Sequence, residues 1–389
     1  MKRVLIFEEK VTGHHLEYLH HLYMRAIQER NMQFIFVLPE QFEELKYKLD
    51  WPEAANIEIH ILQNHEIDYC NKRLISRAWK GSLKVRELIK NFKANVFIAI
   101  SICKYMPFLT LFIPRGVEVF GIIYEIYLYS WKTASFARKC FNLLCHYFYS
   151  RSKSFRKIFI LNDRASAAYL NKKWHSNHYA FLPDPFSGRA ELVETVARND
   201  NMLTFFHFGG LVKRKGTLEI LRAMKMLPVE ELKKFRLIFA GYVRNEIREE
   251  FYSLVTSLKD DLEVEVHDDF VPYDTIERLC TISDYILIPY ENTGQSSGVL
   301  AYAAKYSVPV VGPQQGMLGK IIRRYHLGIC LESVKADALK KMFLSSAIFS
   351  PPIVHTNYLQ INSVNNFQEH IFMYINENPE IELEKTESR

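Results

Sequence analysis

Residues 289–313 read Pro-Tyr-Glu-Asn-Thr-Gly-Gln-Ser-Ser-Gly-Val-Leu-Ala-Tyr-Ala-Ala-Lys-Tyr-Ser-Val-Pro-Val-Val-Gly-Pro. An apolar run at 285–289, straight after Asp284, has the length and composition of a buried parallel strand. A small polar loop follows, and Ser296, Ser297 and Gly298 open a short helical pattern that ends before a second apolar run at 308–312. This is a strand–helix–strand unit. Its helix start faces the carboxyl edge of the sheet, where unpaired backbone N–H groups favour an anion.

The same alternation fills the second half of the chain. Strand patterns lie at 203–208, 236–240, 262–266, 285–289 and 308–311, with helical patterns at 217–226, 246–258, 273–281 and 297–306. The first half alternates in the same way, with strands at 3–8, 33–37, 57–61, 96–100, 117–123 and 157–161, and helices such as 15–29, 74–91 and 134–150. Short apolar runs alternating with longer periodic segments predict parallel sheets covered on both faces. The expected fold class is α/β, with two doubly wound Rossmann-like domains facing across a cleft. Pro183 and Pro185 break the pattern between the halves. The expected division is a first domain at 1–183, a linker at 184–201, and a second domain at 202–350. A segment at 351–376 ends in a helix that can pack on either half, and a Glu-rich flexible tail occupies 377–389.

The 389 residues are 48% hydrophobic and 24% charged, as in folded globular chains and unlike disordered ones. The six cysteines are scattered without metal-type pairs and read as reduced thiols of a cytoplasmic protein. The apolar start is too short for a signal peptide, and the stretch 94–114 is broken by Asn95, Lys104 and Pro107, so no membrane span is expected. Net charge is +6 but unevenly placed. No acid lies between Glu125 and Asp163, whereas Lys132, Arg138, Lys139, Arg151, Lys153, Arg156 and Lys157 do. The aromatic, basic segment 131–157 is either a core helix with a solvated cationic face or a surface for an anionic membrane. It carries no nucleic-acid motif, and no nucleic-acid partner is expected.

Three loops carry candidate chemistry. In the first, the strand ending at Phe208 runs into Gly209-Gly210-Leu211-Val212-Lys213-Arg214-Lys215-Gly216. Glycines let backbone approach a ligand and three consecutive cations can neutralise a diphosphate, although a basic turn can also be merely solvated. Val11-Thr12-Gly13-His14-His15 follows the first strand, where Gly13 permits close approach and His14 or His15 can donate to a phosphate or sugar. His15 and His20 are five apart, not the four that aligns two ligands on a helix face, so no metal is expected. Glu125, just past an apolar strand, suits a general base or a sugar-hydroxyl acceptor, and equally a structural ion pair.

These loops together resemble glycosyltransferase family 4, the retaining nucleotide-sugar transferases of GT-B fold. The resemblance spans roughly 203–330 and has four parts: Gly209 to Lys215-Gly216; Leu237-Ile238-Phe239-Ala240-Gly241; Phe270-Val271-Pro272 with the strand after Ser283-Asp284; and Gly298 through Pro309-Val310-Val311. It implies a nucleoside-diphosphate sugar donor and no separate cofactor or metal. Lys215, with Lys213 or Arg214, would stabilise the leaving diphosphate, alongside Gly209 and the start Ser296, Ser297, Gly298 and Val299. Val271 would meet the nucleobase, Gly13 and His14 would close over the diphosphate, and Glu125 would sit near the reacting hydroxyl. The acceptor would be a glycan or lipid-linked molecule, with the enzyme cytoplasmic or peripheral on the inner membrane face. The family's two glutamates fall at Gly294 and Tyr302, its loop arginine at Gly210, and its His-Asp pair loosely at Tyr124-Glu125. Glu291 or Gln295 is the candidate replacement at the donor sugar, but Tyr302 cannot accept from a ribose as a carboxylate does. Two other readings keep the fold: an epimerase or hydrolase, and a non-catalytic nucleotide-sugar binder.

Overall fold

Strand β1 (Lys2–Phe7) shows why both sheets form. Val4 and Ile6 point to one face, Leu5 and Phe7 to the other, and all four are buried. A strand buried on both sides needs helices on both sides. The computed structural model describes residues 1–11, 14–186, 202–354 and 357–376, with the side chain of His14 left out. They divide into two units, one holding Met1–Pro185 and the chain from Val364 on, the other Phe186–Ser363.

The first unit's sheet contains β1, β2 (Met32–Pro39), β3 (Ile57–Leu62), β4 (Val96–Ala99), β5 (Glu118–Ile123), β6 (Phe155–Leu161) and β7 (Tyr179–Leu182). Their order is β3-β2-β1-β4-β5-β6-β7, with every neighbouring pair parallel. Residue parity separates its two cores. Leu5, Phe7, Phe97, Val119 and Ile158 pack with Val85 and Leu88 of helix Leu74–Asn91, Leu109 of the short helix Leu109–Phe112, Tyr149 of helix Phe136–Arg151 and Leu170 of helix Arg164–Trp174. Val4, Ile6, Phe34, Ile98 and Phe120 pack on the other side with Leu19 of helix His14–Ala26 and Phe367, Ile371 and Phe372 of helix Val364–Ile375. The chain's last described helix therefore lies with the first unit. Lys2 Nζ donates to the Ile375 carbonyl (2.7 Å) and Gln368 Nε2 to the His21 carbonyl (2.8 Å). Local signals set the helix starts: the Ser135 hydroxyl accepts from Arg138 N–H (3.3 Å), and Asp163 accepts from Ser166 N–H (3.0 Å).

The second unit's sheet holds β8 (Leu203–Phe208), β9 (Phe235–Ala240), β10 (Glu263–His267), β11 (Tyr285–Leu287), β12 (Val310–Pro313) and β13 (Gly328–Leu331). The order is β10-β9-β8-β11-β12-β13, again parallel throughout. Two doubly wound Rossmann-like sheets are thus present. Edge strands β7 and β13, which the sequence reading lacks, complete them. In both sheets the direction of winding reverses beside the first strand, between β1 and β4 and between β8 and β11. Carboxyl ends at such a reversal diverge and leave a crevice for ligands.

Candidate functional site

In the second unit, the loops after β8 and β11 meet at that reversal. Gly209 has φ +87° and donates its N–H to the Ala240 carbonyl (2.9 Å). A Cβ on it would stand 2.7 Å from Lys215 Nζ, so the ammonium is folded back over this glycine. The same ammonium lies 5.3 Å from the centroid of the Tyr290 ring. Tyr290 is buried, and its hydroxyl has no hydrogen-bond partner among the described residues. Gly216, with φ +72°, presses against Pro289, whose carbonyl oxygen would be 2.2 Å from an added Cβ. Glu291 N–H donates to the Arg214 carbonyl (2.9 Å), joining the two loops directly. Lys213 and Arg214 are exposed around the partly shielded Lys215.

The helix start follows on the same chain segment. Helix Val299–Tyr306 has Gly298 at its N-cap with no side-chain cap bond. Leu300 N–H turns back to the Ser297 carbonyl (3.0 Å) and Ala301 N–H to that of Gly298 (3.1 Å). The amides ahead of them precede the helix's own ladder, as at any helix start. Ser296, Ser297 and Gly298 are half-buried, and the Val299 side chain is buried. The loop is pinned at Thr293, whose carbonyl accepts from Met317 N–H (2.7 Å) at the start of helix Gly316–Arg324.

His207 ties this corner together from beneath. Its Nδ1 donates to the Leu287 carbonyl (2.8 Å), which leaves Nε2 to accept from the Thr217 hydroxyl (3.0 Å). Burial, with a smaller push from the Lys215 charge, lowers its pKa to about 4, so the ring is neutral at physiological pH. One imidazole therefore links β8, β11 and the first residue of helix Thr217–Lys225.

The remaining sequence-predicted residues fall at different distances from this corner. Gln295 is half-buried in the pinned loop, whereas the Glu291 carboxylate is paired with Lys335 (2.5 Å) at the exposed rim. Gly294 is buried, with its N–H on the Asn292 side chain (3.1 Å). Tyr302 packs edge-on against Phe208 at 5.5 Å and Phe186 at 5.1 Å, an aromatic wedge beside the end of β8. Val271 is half-buried in the loop after β10, two strands away from β8. Glu125 is exposed just past β5 in the first unit, Gly13 lies outside the described residues, and His14 opens its helix.

The first unit's reversal carries residues that sequence reasoning missed. Glu8 and Glu9, directly after β1, are both buried. Glu8 is ion-paired with Lys104, which follows β4, and lies 3.2 Å from His15 Nδ1. Burial alone would raise its pKa, but Lys104 and His15 outweigh that and hold the carboxyl below its usual value. Glu9 accepts from the Tyr69 hydroxyl (2.8 Å), with Arg77 Nη2 at 3.4 Å. Two acids closing an apolar strand were the available signal. The Tyr18 ring stacks at 5.7 Å on that of Tyr124, next to Glu125, and its hydroxyl donates to Asp184 (2.5 Å). Among the described residues, no group of three or more His, Cys, Asp or Glu side chains is arranged to hold a metal.

Residues 189–345 match the sequence profile of the family described as glycosyl transferases group 1. That span runs from before β8 through β13, so it contains both loops of the corner. No curated protein sequence matches the chain. Among solved structures, the chain is similar to a glycosyltransferase from Rickettsia africae (14% identity, TM-score 0.62, 96% of this chain and 93% of that one). It is similar to Anabaena HepE in complex with UDP-glucose (12% identity, TM-score 0.64, 97% and 100%). It is also similar to UDP-GlcNAc 2-epimerase from Neisseria meningitidis bound to UDP-GlcNAc (12% identity, TM-score 0.62, 97% and 100%). The fold is GT-B, and its second unit holds most of the segment that matches the group 1 profile.

Proposed function

We propose that the protein is a glycosyltransferase that moves a sugar from a nucleoside-diphosphate sugar to a glycan or lipid-linked acceptor. The observation that carries this reading is the corner of the second unit, where Lys215 Nζ lies over Gly209 beside Tyr290, within the profile-matched span. Transfer breaks the bond between the anomeric carbon and the diphosphate, and charge grows on the departing phosphate oxygens. An ammonium fixed in advance by the protein, and amides fixed by a helix start, stabilise that charge without reorganising. Lys215 takes the leading part, Lys213 or Arg214 the outer part, and the amides of Ser297, Gly298 and Val299 the helix-side part. With protein cations in this role, no metal is required for leaving-group stabilisation.

Gln295, half-buried in the loop pinned at Thr293, is the better placed of the two candidates for the donor sugar, while Glu291 lies at the exposed rim. Val271 serves the nucleobase. Glu125, Gly13 and His14 belong to the first unit, and their parts rest on the sequence alone. Retention of anomeric configuration, a role in cell-surface polysaccharide or glycolipid synthesis, and an anionic membrane surface at 131–157 complete the proposal. UDP-linked sugars are the first donors to try, because structures of similar fold hold them. The deciding experiment is a panel of nucleotide sugars, scored first for binding by calorimetry and then for turnover with mixed glycan acceptors. Release of nucleoside diphosphate with a new glycosidic product is expected; tight binding without turnover would favour a non-catalytic binder. A second reading, an epimerase, is favoured by the likeness to the Neisseria epimerase along the whole chain. It predicts conversion of UDP-GlcNAc without any acceptor, which product analysis separates from transfer.

A further inference from the structure

Glu8 and Glu9 follow strand β1 where the order of the first sheet reverses, and the proposed reaction uses neither. Both are buried, and their oxygens are divided among fixed partners. Glu9 Oε1 accepts from the Tyr69 hydroxyl (2.8 Å), while Oε2 faces Arg77 Nη2 (3.4 Å) and Lys104 Nζ (4.0 Å). Glu8 Oε1 pairs with Lys104, from the turn Ile102–Tyr105 after β4, and accepts from Lys10 N–H (3.0 Å). Glu8 Oε2 turns to His15, the second residue of helix His14–Ala26, whose Nδ1 lies 3.2 Å away. Burial opposes ionisation of Glu8, but Lys104 and His15 outweigh it, so a carboxylate faces the imidazole.

The two ring nitrogens of His15 meet different surroundings. Nδ1 is shielded from solvent, and the described residues offer it the Glu8 carboxylate. The contact is close but not aligned as a straight hydrogen bond, as is common at a site that tightens on its substrate. Nε2 reaches solvent, and none of the described residues hydrogen-bonds to it. A proton on Nδ1, directed at Glu8, leaves the lone pair on Nε2. The charges agree with that state. Glu8 and Glu9 are already matched by Lys104 and Arg77, so a neutral imidazole completes the cluster without a surplus cation at a helix start. Such a ring receives an O–H and has no proton at Nε2 to give a phosphate oxygen. Tyr124, just after β5, is tilted against His15 at 5.6 Å, and its shielded hydroxyl has no hydrogen-bond partner among the described residues. An acceptor nitrogen beside a spare hydroxyl suits an alcohol, which both donates and accepts.

We propose that His15 Nε2 binds a sugar hydroxyl at the first unit's crevice, with Glu8 as its positioning residue and Lys104 holding Glu8 in place. The inference rests on the nucleotide-sugar reading and deepens it. The hydroxyl belongs to the donor sugar or to the acceptor, and the step is hydrogen bonding and orientation, with no covalent change at His15. Calorimetry compares wild type and His15→Ala, using the best-binding nucleotide sugar of the panel and its bare nucleoside diphosphate. The bare diphosphate should bind both proteins equally. A donor hydroxyl shows as about tenfold weaker binding of the nucleotide sugar, and an acceptor hydroxyl as an acceptor KM about tenfold higher, the size of one neutral hydrogen bond. Either result supports the assignment. Glu8→Ala should reproduce the loss, and Glu8→Gln should recover part of it, because its amide oxygen still accepts from Nδ1–H. Glu8→Ala combined with His15→Ala should be no weaker than His15→Ala alone. If Glu8→Ala unfolds, nitrogen-15 spectra of the ligand-free wild type at mildly alkaline pH provide the test, with His15→Ala identifying the signal. A proton on Nδ1 and none on Nε2 is expected. The inference is overturned by a proton on Nε2, by weaker binding of the bare diphosphate to His15→Ala, by unchanged nucleotide-sugar binding together with unchanged acceptor KM, or by additive losses in the double variant. A wild-type protein that neither binds nor transfers any nucleotide sugar overturns the nucleotide-sugar reading and the hydroxyl assignment with it, whereas the other outcomes overturn this inference alone.

Discussion

Lys215 is the residue on which the proposed chemistry turns, because its ammonium lies over Gly209 and near the Tyr290 ring. Lys215→Ala should lower transfer at least about tenfold, on the order of 1.4 kcal/mol of transition-state stabilisation, with the melting temperature nearly unchanged. Full activity in that variant, measured as kcat/KM on the best donor of the panel, would remove Lys215 from the mechanism. Gly216 is the complementary case, structural rather than chemical. Its φ of +72° and its contact with the Pro289 carbonyl leave no room for a methyl group. Gly216→Ala should cost about 1–3 kcal/mol in urea unfolding, since the strain is relieved only by moving the loop. The loop that carries both was legible from its composition. Glu8 and Glu9 were not, because acids at a strand end look like an exposed turn until Lys104, Arg77 and Tyr69 arrive from elsewhere in the chain.

Among the secondary-structure elements, periodicity located the interior strands and the longer helices, and it failed where elements are short or end in unusual backbone. Strand β11 stops at Leu287 rather than running to Pro289, since proline cannot donate to a ladder and Tyr290 N–H turns back to the Ile288 carbonyl (2.7 Å). Edge strands β7 and β13 have four residues each, and β13 begins at Gly328 with φ +147°, so neither shows a pattern. The C-terminal helix illustrates the opposite limit. Its apolar spacing was readable, but its destination was not. Phe367, Ile371, Phe372 and Ile375 are fully buried in the first unit's core. Phe372→Ala should therefore destabilise that unit by about 3–5 kcal/mol, on the order expected for a large core cavity, although it lies far along the chain from the strands it covers. A urea transition that is unchanged in both units would refute this packing.

For the molecule as a whole, buried neutral histidines set an acid limit on stability. Burial lowers His21 and His207 to about 4, and His146, held by the Tyr179 hydroxyl at 2.7 Å, to about 3. Between those values and 6.5, the unfolded chain takes up protons that the folded chain refuses. The histidine contribution to stability should thus be level above about pH 7 and fall as pH drops through about 6.5, by up to about 1.4 kcal/mol per pH unit for each ring. Glu8, with its lowered pKa, works in the same direction only at lower pH: its contribution is present above about 4.5 and is lost below. Urea midpoints at about pH 7.5 and about pH 5 test this, with His146→Gln expected to flatten the slope for the first unit; equal midpoints would contradict it. The class of architecture and the glycine–lysine loop of the second unit were written in the chain itself, because period-two and period-3.6 burial and glycine–lysine spacing are local properties. Which carboxylates are buried and which unit owns the last helix emerged only in the folded molecule. Those outcomes depend on which neighbours strand order brings together, and strand order is fixed by contacts between residues far apart in the chain.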